Sequence, residues 1–131
     1  MTRLLIVAAG GALGAVARYG VGVWAQRLFP TAQWPWATLT VNLVGGLLMG
    51  LLAGWLAFRG GAHGENLRLF AAVGLLGGFT TFSAFSLEAA LMIERRQTAM
   101  AGGYVAASVI LSIAALFIGL MVARRAFGAP L

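Results

Sequence analysis

Four long apolar segments divide the chain, at residues 4–25, 37–58, 67–93 and 98–123. Each contains roughly 20 residues or more, which is the length that a helix needs to cross a hydrocarbon core of about 30 Å. The connections between them are short, at residues 26–36, 59–66 and 94–97. The pattern predicts an all-α membrane protein with four transmembrane helices, forming a single domain over residues 1–131 without a linker.

The composition supports a membrane setting. The chain is 61% hydrophobic and 9% charged, whereas soluble domains carry about 25% charged residues. A soluble globule of this length could not cover so much apolar side chain with so few charges. The net charge is +6 and every basic residue is arginine, but the arginines stand at predicted helix ends rather than on one face, which argues against a nucleic-acid partner. Cysteine is absent, so disulfide and thiol chemistry are excluded.

The arginines also bear on orientation in the membrane. Four spans would place five of them on one side, namely Arg3, Arg59, Arg68, Arg124 and Arg125. Arg27, Arg95 and Arg96 would lie on the other side, with Arg18 a possible fourth. Because these counts are nearly equal, the positive-inside rule does not clearly favour one orientation. The chain could therefore insert both ways, and two oppositely inserted copies could pair about a two-fold axis in the membrane plane. A single orientation set by the small excess is the alternative, and charge alone leaves both open.

The third segment is longer than a span requires. Its 27 residues would measure about 40 Å as a helix. Its middle contains two glycines and two threonines at residues 77–81, all poor helix formers, and the hydroxyls can compete for backbone groups. We expect a break near Gly77 to Thr81. Free carbonyls before it could coordinate a cation, and free amides after it would favour an anion. A continuous tilted helix is the alternative.

Glycines recur at spacing four in three segments, a pattern that lets helix backbones approach closely. It does not indicate whether the partner helix belongs to the same chain. The stripes are Gly10 and Gly14, then Gly46, Gly50 and Gly54, and finally Gly74 and Gly78.

Three polar or aromatic side chains suggest an anion path. Phe82 and Phe85 are three residues apart, just past the expected break, and share a helix face. The edge of a phenyl ring carries the positive part of its quadrupole, so such rings could line an anion path, although packing is the usual role. Asn42 lies in the otherwise apolar second segment, where a buried amide often marks a polar route. A helix–helix hydrogen bond is the simpler explanation.

Hydroxyl groups form a stripe in the fourth segment, where Tyr104, Ser108 and Ser112 recur at spacing four. Hydroxyls can replace the water that a small anion loses, and polar packing is the alternative. Arg18 and Glu88 are the two charges well inside predicted spans, where either could reach an aqueous vestibule, pair with the other or snorkel. No catalytic constellation or metal-ligand spacing is apparent, so we do not expect an enzyme.

Three stretches of this chain resemble the signatures of the Fluc/CrcB family of fluoride ion channels. They are Gly-Gly-Ala-Leu-Gly-Ala-Val-Ala-Arg-Tyr at 10–19, Thr-Leu-Thr-Val-Asn at 38–42 and Gly-Leu-Leu-Gly-Gly-Phe-Thr-Thr-Phe-Ser-Ala-Phe at 74–85. The third is the most specific. Their order, their spacing and the four-span context also agree, so the resemblance covers essentially the whole chain.

The resemblance implies a passive, fluoride-selective channel. It would be a multi-pass protein of the inner (plasma) membrane, assembled as an antiparallel, dual-topology homodimer with two fluoride pores. Its role would be to export cytoplasmic fluoride, which accumulates when external HF enters and dissociates at the higher internal pH.

The resemblance also assigns roles to residues. Phe82 and Phe85 match the family's pore phenylalanines and Asn42 its pore asparagine. The hydroxyl stripe of Tyr104, Ser108 and Ser112 matches its polar track. The backbone carbonyls of Gly77 and Thr80 match the groups that hold one structural Na⁺ at the dimer centre.

Two other functions compete with this one. A small proton-coupled multidrug exporter can also have four spans and dual topology, but its chemistry calls for a carboxylate in the first span, which here contains Arg18 and no acid. A non-transporting membrane subunit is the second alternative. It would need neither Asn42, nor a broken third span, nor a hydroxyl stripe.

Overall fold

The computed structural model describes residues 1–128, which form helices joined by short loops. Three of the helices are continuous: α1 at Thr2–Leu28, α2 at Trp36–Arg59 and α5 at Thr98–Phe127. The third span contains two shorter helices, α3 at residues 64–79 and α4 at Phe82–Glu94, and follows a 3₁₀ turn at Gly61–His63. All four spans are long and apolar enough to cross a membrane. The expectation of an all-α, multi-pass membrane protein is confirmed, and each predicted segment lies within one span.

The third span is broken where two glycines and two threonines meet. Helix α3 covers residues 64–79 and α4 covers Phe82–Glu94. Between them Thr80 (φ −80°, ψ 159°) and Thr81 (φ −151°, ψ 120°) are extended. The predicted break is therefore confirmed, although Gly77 and Gly78 remain helical and the two threonines alone leave the helix.

Helix α3 also contains a feature that the sequence pattern did not predict. Its three consecutive segments are α-helical at Gly64–Leu67, π-helical at Arg68–Leu76 and α-helical at Gly77–Phe79. At the end of the π-helical stretch the Gly77 amide donates to the Ala72 carbonyl, five residues earlier. Such stretches are rare and often occur near functional sites.

Glycine determines how the helices pair. Gly10 and Gly14 of α1 lie directly against the carbonyls of Phe70 and Leu75 in α3, so that an added Cβ would overlap them. Gly74 and Gly78 of α3 face back toward α1. Helix α2 packs on α5 in the same way: Gly46, Gly50 and Gly54 lie against Ser112, Leu116 and Ala123. The glycine stripes thus pack helices within one chain.

Helix α4 packs differently, through side chains. It contributes Phe85, Ala89 and Met92 to a buried cluster that also contains residues of α2 and α5, namely Leu39, Ala101 and Tyr104. The outer faces of the helices are apolar, as at Ile110 and Phe117. A lipid environment explains this arrangement, because apolar surface there need not be hidden from water.

Candidate functional site

Asn42 holds the start of α4 in place. Its Nδ2 donates to the Thr81 carbonyl at 3.1 Å, and its Oδ1 accepts from the Thr81 amide at 2.9 Å. Thr81 is also the N-cap of α4, where its hydroxyl accepts from the Ala84 amide at 3.1 Å. The carboxamide therefore satisfies both backbone groups of one extended residue, which would otherwise lack partners at this depth. The sequence placed Asn42 in the span but did not indicate this partner.

Arg18 holds the other side of the break. Its Nε donates to the Gly78 carbonyl at 3.1 Å, where a cation is favourable because the last carbonyls of α3 carry partial negative charge. Arg18 also lines a cavity of about 290 Å³, together with Tyr19, Gln26, Thr38 and Thr81. The suggested ion pair with Glu88 does not form. The one ion pair within residues 1–128 joins Arg68 to Glu65, at 3.0 Å on the surface.

The carbonyls at the break are not all engaged. The Leu76 carbonyl accepts from both the amide and the hydroxyl of Thr80, at 3.0 and 2.9 Å. The Gly78 carbonyl accepts a hydrogen bond from Arg18, and the Thr81 carbonyl accepts one from Asn42. Over the described part of the chain, no hydrogen bond outside the helices ends on the carbonyl of Gly77 or Thr80. These two oxygens could accept a cation.

A groove of about 420 Å³ opens beside the break, between α2, α4 and α5. The structure brings five of the six side chains that were expected in a pore to this one groove: Asn42, Phe82, Phe85, Ser108 and Ser112. The rest of its wall is made of uncharged residues, namely Gly45, Gly46, Met49, Thr80, Thr81, Val109, Ile113 and Leu116. Polar groups are thus few in an otherwise apolar groove.

The two serines in this groove have unused hydroxyls. Both Oγ atoms are buried, and neither has a hydrogen-bond partner among the described residues. Leaving a buried hydroxyl unpaired costs about 1 to 3 kcal/mol, and such groups are uncommon in folded proteins. Ser108 and Ser112 are therefore suited to bind something that enters the groove.

The two phenylalanines differ in their surroundings. Their ring centroids are 5.6 Å apart at an interplanar angle of 49°. Phe82 is 78% exposed, while Phe85 is 8% exposed and belongs to the buried cluster. Phe85 is thus fixed by packing inside the chain, whereas Phe82 lies at the open side of the groove.

Tyr104 lies behind the groove, in a network around Glu88. The Tyr104 hydroxyl donates to Glu88 Oε2 and the Thr38 hydroxyl donates to Oε1, both at 2.6 Å. The Tyr104 ring is fully buried and packs on Phe85 at 5.2 Å. Glu88 is thus held inside the chain by two hydroxyls, and its expected place in a vestibule stays a prediction.

The hydrogen bonds to Glu88 were not predicted from the sequence, although the spacing of polar residues along the helices indicates them. Thr38 and Asn42 are four residues apart on α2 and share a face. Thr81, the N-cap of α4, is four residues before Phe85, and Phe85 is three before Glu88, so these residues also share a face. Two polar faces in neighbouring apolar helices would be expected to meet, since buried polar groups need partners.

Comparison with known proteins identifies the family of this chain. The model of the family described as "CrcB-like protein, Camphor Resistance (CrcB)" matches residues 5–120. The fluoride-specific ion channel FluC of Caulobacter sp. (strain K31) is 67% identical over 127 residues, covering 97% of this chain and 98% of that protein. Proteins of the same name from Caulobacter vibrioides (strain NA1000 / CB15N) and Phenylobacterium zucineum (strain HLK1) are 61% and 60% identical, covering 97% of this chain and 99% of each.

A family match over most of the chain and relatives of this identity confirm the resemblance seen in the three sequence stretches. The relatives are named as ion channels, and the groove offers polar groups of the kind that an ion needs. This chain belongs to the CrcB family.

Proposed function

We propose that this chain is a passive, fluoride-selective ion channel that works as an antiparallel homodimer with two pores. Relatives more than 60% identical along nearly their whole length are named fluoride-specific ion channels. The groove beside the break in the third span is the path that we assign to the ion.

The unpartnered hydroxyls of Ser108 and Ser112 are the observation that carries this proposal. A small anion that leaves water needs donors to replace its hydration shell, as in other selective pores. Hydroxyls and the edges of Phe82 and Phe85 can supply that stabilisation. No residue that lines the groove is charged, so the ion would be bound weakly enough to leave again, which conduction requires.

A second copy of the chain would close the groove. The groove is open on the side where Phe82 lies, 78% exposed, and an opening partly lined by polar groups is unfavourable against lipid. The nearly even distribution of arginine allows both orientations in one membrane. A two-fold axis in the membrane plane would then pair opposite copies and give one groove, and hence one pore, for each.

The same axis would create a cation site from the break. The carbonyls of Gly77 and Thr80 are the groups we assign to Na⁺, and two copies would supply four oxygens. Oxygen is the ligand that hard cations prefer, and within residues 1–128 these carbonyls have no other partner outside the helices. The ion would supply a fixed positive charge that links the two copies.

Passive conduction would serve export of fluoride across the inner membrane. HF that enters from an acidic exterior dissociates inside, so fluoride becomes more concentrated in the cytoplasm than outside. An open, selective path lets that fluoride flow out down its own gradient, without coupling to another ion.

Fluoride efflux from liposomes that contain the purified protein tests the proposal. With equal pH on both sides, a fluoride electrode should record release as soon as the membrane potential is dissipated, while liposomes loaded with chloride should retain it. Chloride release at a similar rate, or fluoride release that needs a proton gradient, would contradict the proposed function.

Labelling at residue 64 tests the orientation separately. The chain has no cysteine, so Gly64→Cys gives a unique thiol, and its Cβ would meet only the end of the Leu56 side chain at 3.8 Å. In sealed vesicles an impermeant maleimide should label about half of the protein from outside, and the rest only after lysis. Labelling from one side alone would exclude the antiparallel dimer.

A further inference from the structure

An unbroken series of aromatic rings connects the loop between α1 and α2 to the groove. The contacts run from Phe29 to Trp36 (5.6 Å), from Trp36 to Trp34 (6.2 Å) and from Trp34 to Tyr104 (5.5 Å). They continue from Tyr104 to Phe85 (5.2 Å) and from Phe85 to Phe82 (5.6 Å). The two ends of the series are a loop outside the helices and the exposed ring beside the groove.

Trp34 occupies the point where the loop meets the buried rings. Its indole meets Tyr104 nearly at right angles, at 85°, which is a favourable arrangement of two aromatic quadrupoles. Tyr104 is fully buried and its hydroxyl donates to Glu88 at 2.6 Å. Trp34 also packs against the cluster that contains Phe85 and Leu39. The Trp34 indole thus contacts Trp36, Tyr104 and the buried cluster at once, which restricts its orientation.

We propose that Trp34 is a positioning residue, which holds the Tyr104 ring and through it Phe85 in the orientation that the groove needs. The inference deepens the proposed function and rests on it, since the groove is the assigned fluoride path. Trp34 would act from outside the groove, because its contact is with Tyr104 and not with the ion.

The loop is tethered in a manner that suits this role. Gln97, beyond the end of α4, donates from its Nε2 to Gln33 Oε1 at 3.2 Å. The Trp36 amide donates to the Trp34 carbonyl at 2.9 Å, which fixes the backbone at the start of α2. By contrast Trp24 on α1 is 58% exposed and takes no part in the series of rings, as expected of a tryptophan that only anchors a helix at the membrane surface.

Flux through three variants separates positioning from anchoring. Trp34→Leu removes the aromatic contact, Trp34→Phe keeps a ring in its place, and Trp24→Leu makes the same change at the exposed site. Fluoride efflux per folded protein should fall about threefold to tenfold in Trp34→Leu, the range that corresponds to one aromatic pair. It should recover largely in Trp34→Phe and stay at the wild-type rate in Trp24→Leu.

A second readout follows Tyr104 itself and does not depend on transport. The chain has two tyrosines, so 3-fluorotyrosine incorporation in a Tyr19→Phe background leaves one ¹⁹F signal, from residue 104. In the parent protein that signal should be insensitive to exchange of H₂O for D₂O, because the ring is buried. In Trp34→Leu it should broaden or split and respond to the exchange, and in Trp34→Phe it should not.

The outcomes distinguish this inference from the proposed function. Failure of the unsubstituted protein to release fluoride would overturn the proposed function, and the ¹⁹F signal would still decide whether Trp34 holds Tyr104. Wild-type efflux in Trp34→Leu, or a ¹⁹F signal that this substitution leaves narrow and unresponsive to D₂O, would overturn the positioning role.

Discussion

The two halves of the third span are held by different means. Helix α3 packs on α1 through glycine, with backbone against backbone at Gly10, Gly14 and Gly74. Helix α4 is held by polar side chains, since Asn42 fixes Thr81 at its start and two hydroxyls fix Glu88 further along. The first half depends mainly on the absence of side chains, with Arg18 donating to the Gly78 carbonyl at its end, and the second half depends on side chains that are present.

This difference indicates how a break can stay ordered inside a membrane. Backbone that leaves a helix at this depth must find partners within the protein. The glycine contact fixes where α3 ends, and the carboxamide of Asn42 fixes where α4 begins. Phe82 and Phe85, which we assign to the ion path, therefore lie on the half whose start is set by hydrogen bonds, next to a half that packs closely on α1 through glycine.

The largest effect is expected from filling the glycine contact. Gly14→Ala would place a Cβ against the Leu75 carbonyl and 2.8 Å from the Phe79 amide nitrogen, so the helices must separate. Overpacking of this kind costs about 1 to 3 kcal/mol or more. The temperature at which half of the protein is lost from the monodisperse peak in size-exclusion chromatography should fall clearly. Gly20→Ala, where nothing lies within 4 Å, is the matched control, and equal stability of the two variants would refute the close contact.

Loss of the Asn42 hydrogen bond to the Thr81 carbonyl, at the start of α4, should affect transport more than folding. Asn42→Asp, when ionised, can still accept from the Thr81 amide but cannot donate to the Thr81 carbonyl, so that carbonyl is left unpaired at a cost of about 1 to 3 kcal/mol, and the carboxylate adds a negative charge beside the anion path. Fluoride efflux per folded protein should drop by about tenfold or more, with a smaller loss of stability than in Gly14→Ala. Thr40→Ala on the same helix serves as the control. Normal efflux in Asn42→Asp would show that this hydrogen bond is not needed for transport.

Substitution of the two phenylalanines should distinguish a role in packing from a role in the ion path. Phe82→Ile and Phe85→Ile keep apolar bulk but remove the positive ring edge, so each should reduce fluoride efflux about threefold to tenfold. Only Phe85→Ile should also lower thermal stability, because Phe85 is buried and Phe82 is exposed. Phe117→Ile, at an exposed position on α5, should change neither property. Wild-type efflux in both groove variants would identify the rings as packing residues and leave the path to Asn42 and the serines.

The smallest effect is expected from the surface ion pair in the first half. Arg68 and Glu65 form an ion pair at the surface, and pairs of this kind contribute little because water and salt screen them. Arg68→Gln should leave both efflux and thermal stability unchanged within error, when measured beside Asn42→Asp in one series. A clear loss of either would mean that α3 depends on this surface pair as well as on its glycine contact with α1, and that the two halves are held less differently than proposed.

The sequence predicted the broad architecture because its signals there are local. Segment length and hydropathy define the four spans, and two threonines after two glycines indicate the break. The partners across the break could not be predicted in this way. Asn42 and Thr81 are 39 residues apart, as are many pairs that never meet, and nothing in either segment specifies the other.

Two further features have no local signal in the sequence. The role of Arg18 at the Gly78 carbonyl follows only once α1 is placed against α3. The π-helical stretch at Arg68–Leu76 has no counterpart in residue type, since its residues are those of an ordinary apolar helix. By contrast Ser108 and Ser112 could be placed on one face from their spacing alone.

Electrical recording across a planar bilayer tests the central claim most directly. With the purified protein in a membrane that separates fluoride solutions of tenfold different concentration and equal pH, the account predicts a current that reverses near the fluoride equilibrium potential, about 59 mV for a monovalent ion. Added chloride on one side should not move the reversal potential. Absence of any current, or a reversal potential that follows chloride or the proton gradient, would contradict passive and selective passage of fluoride through this protein.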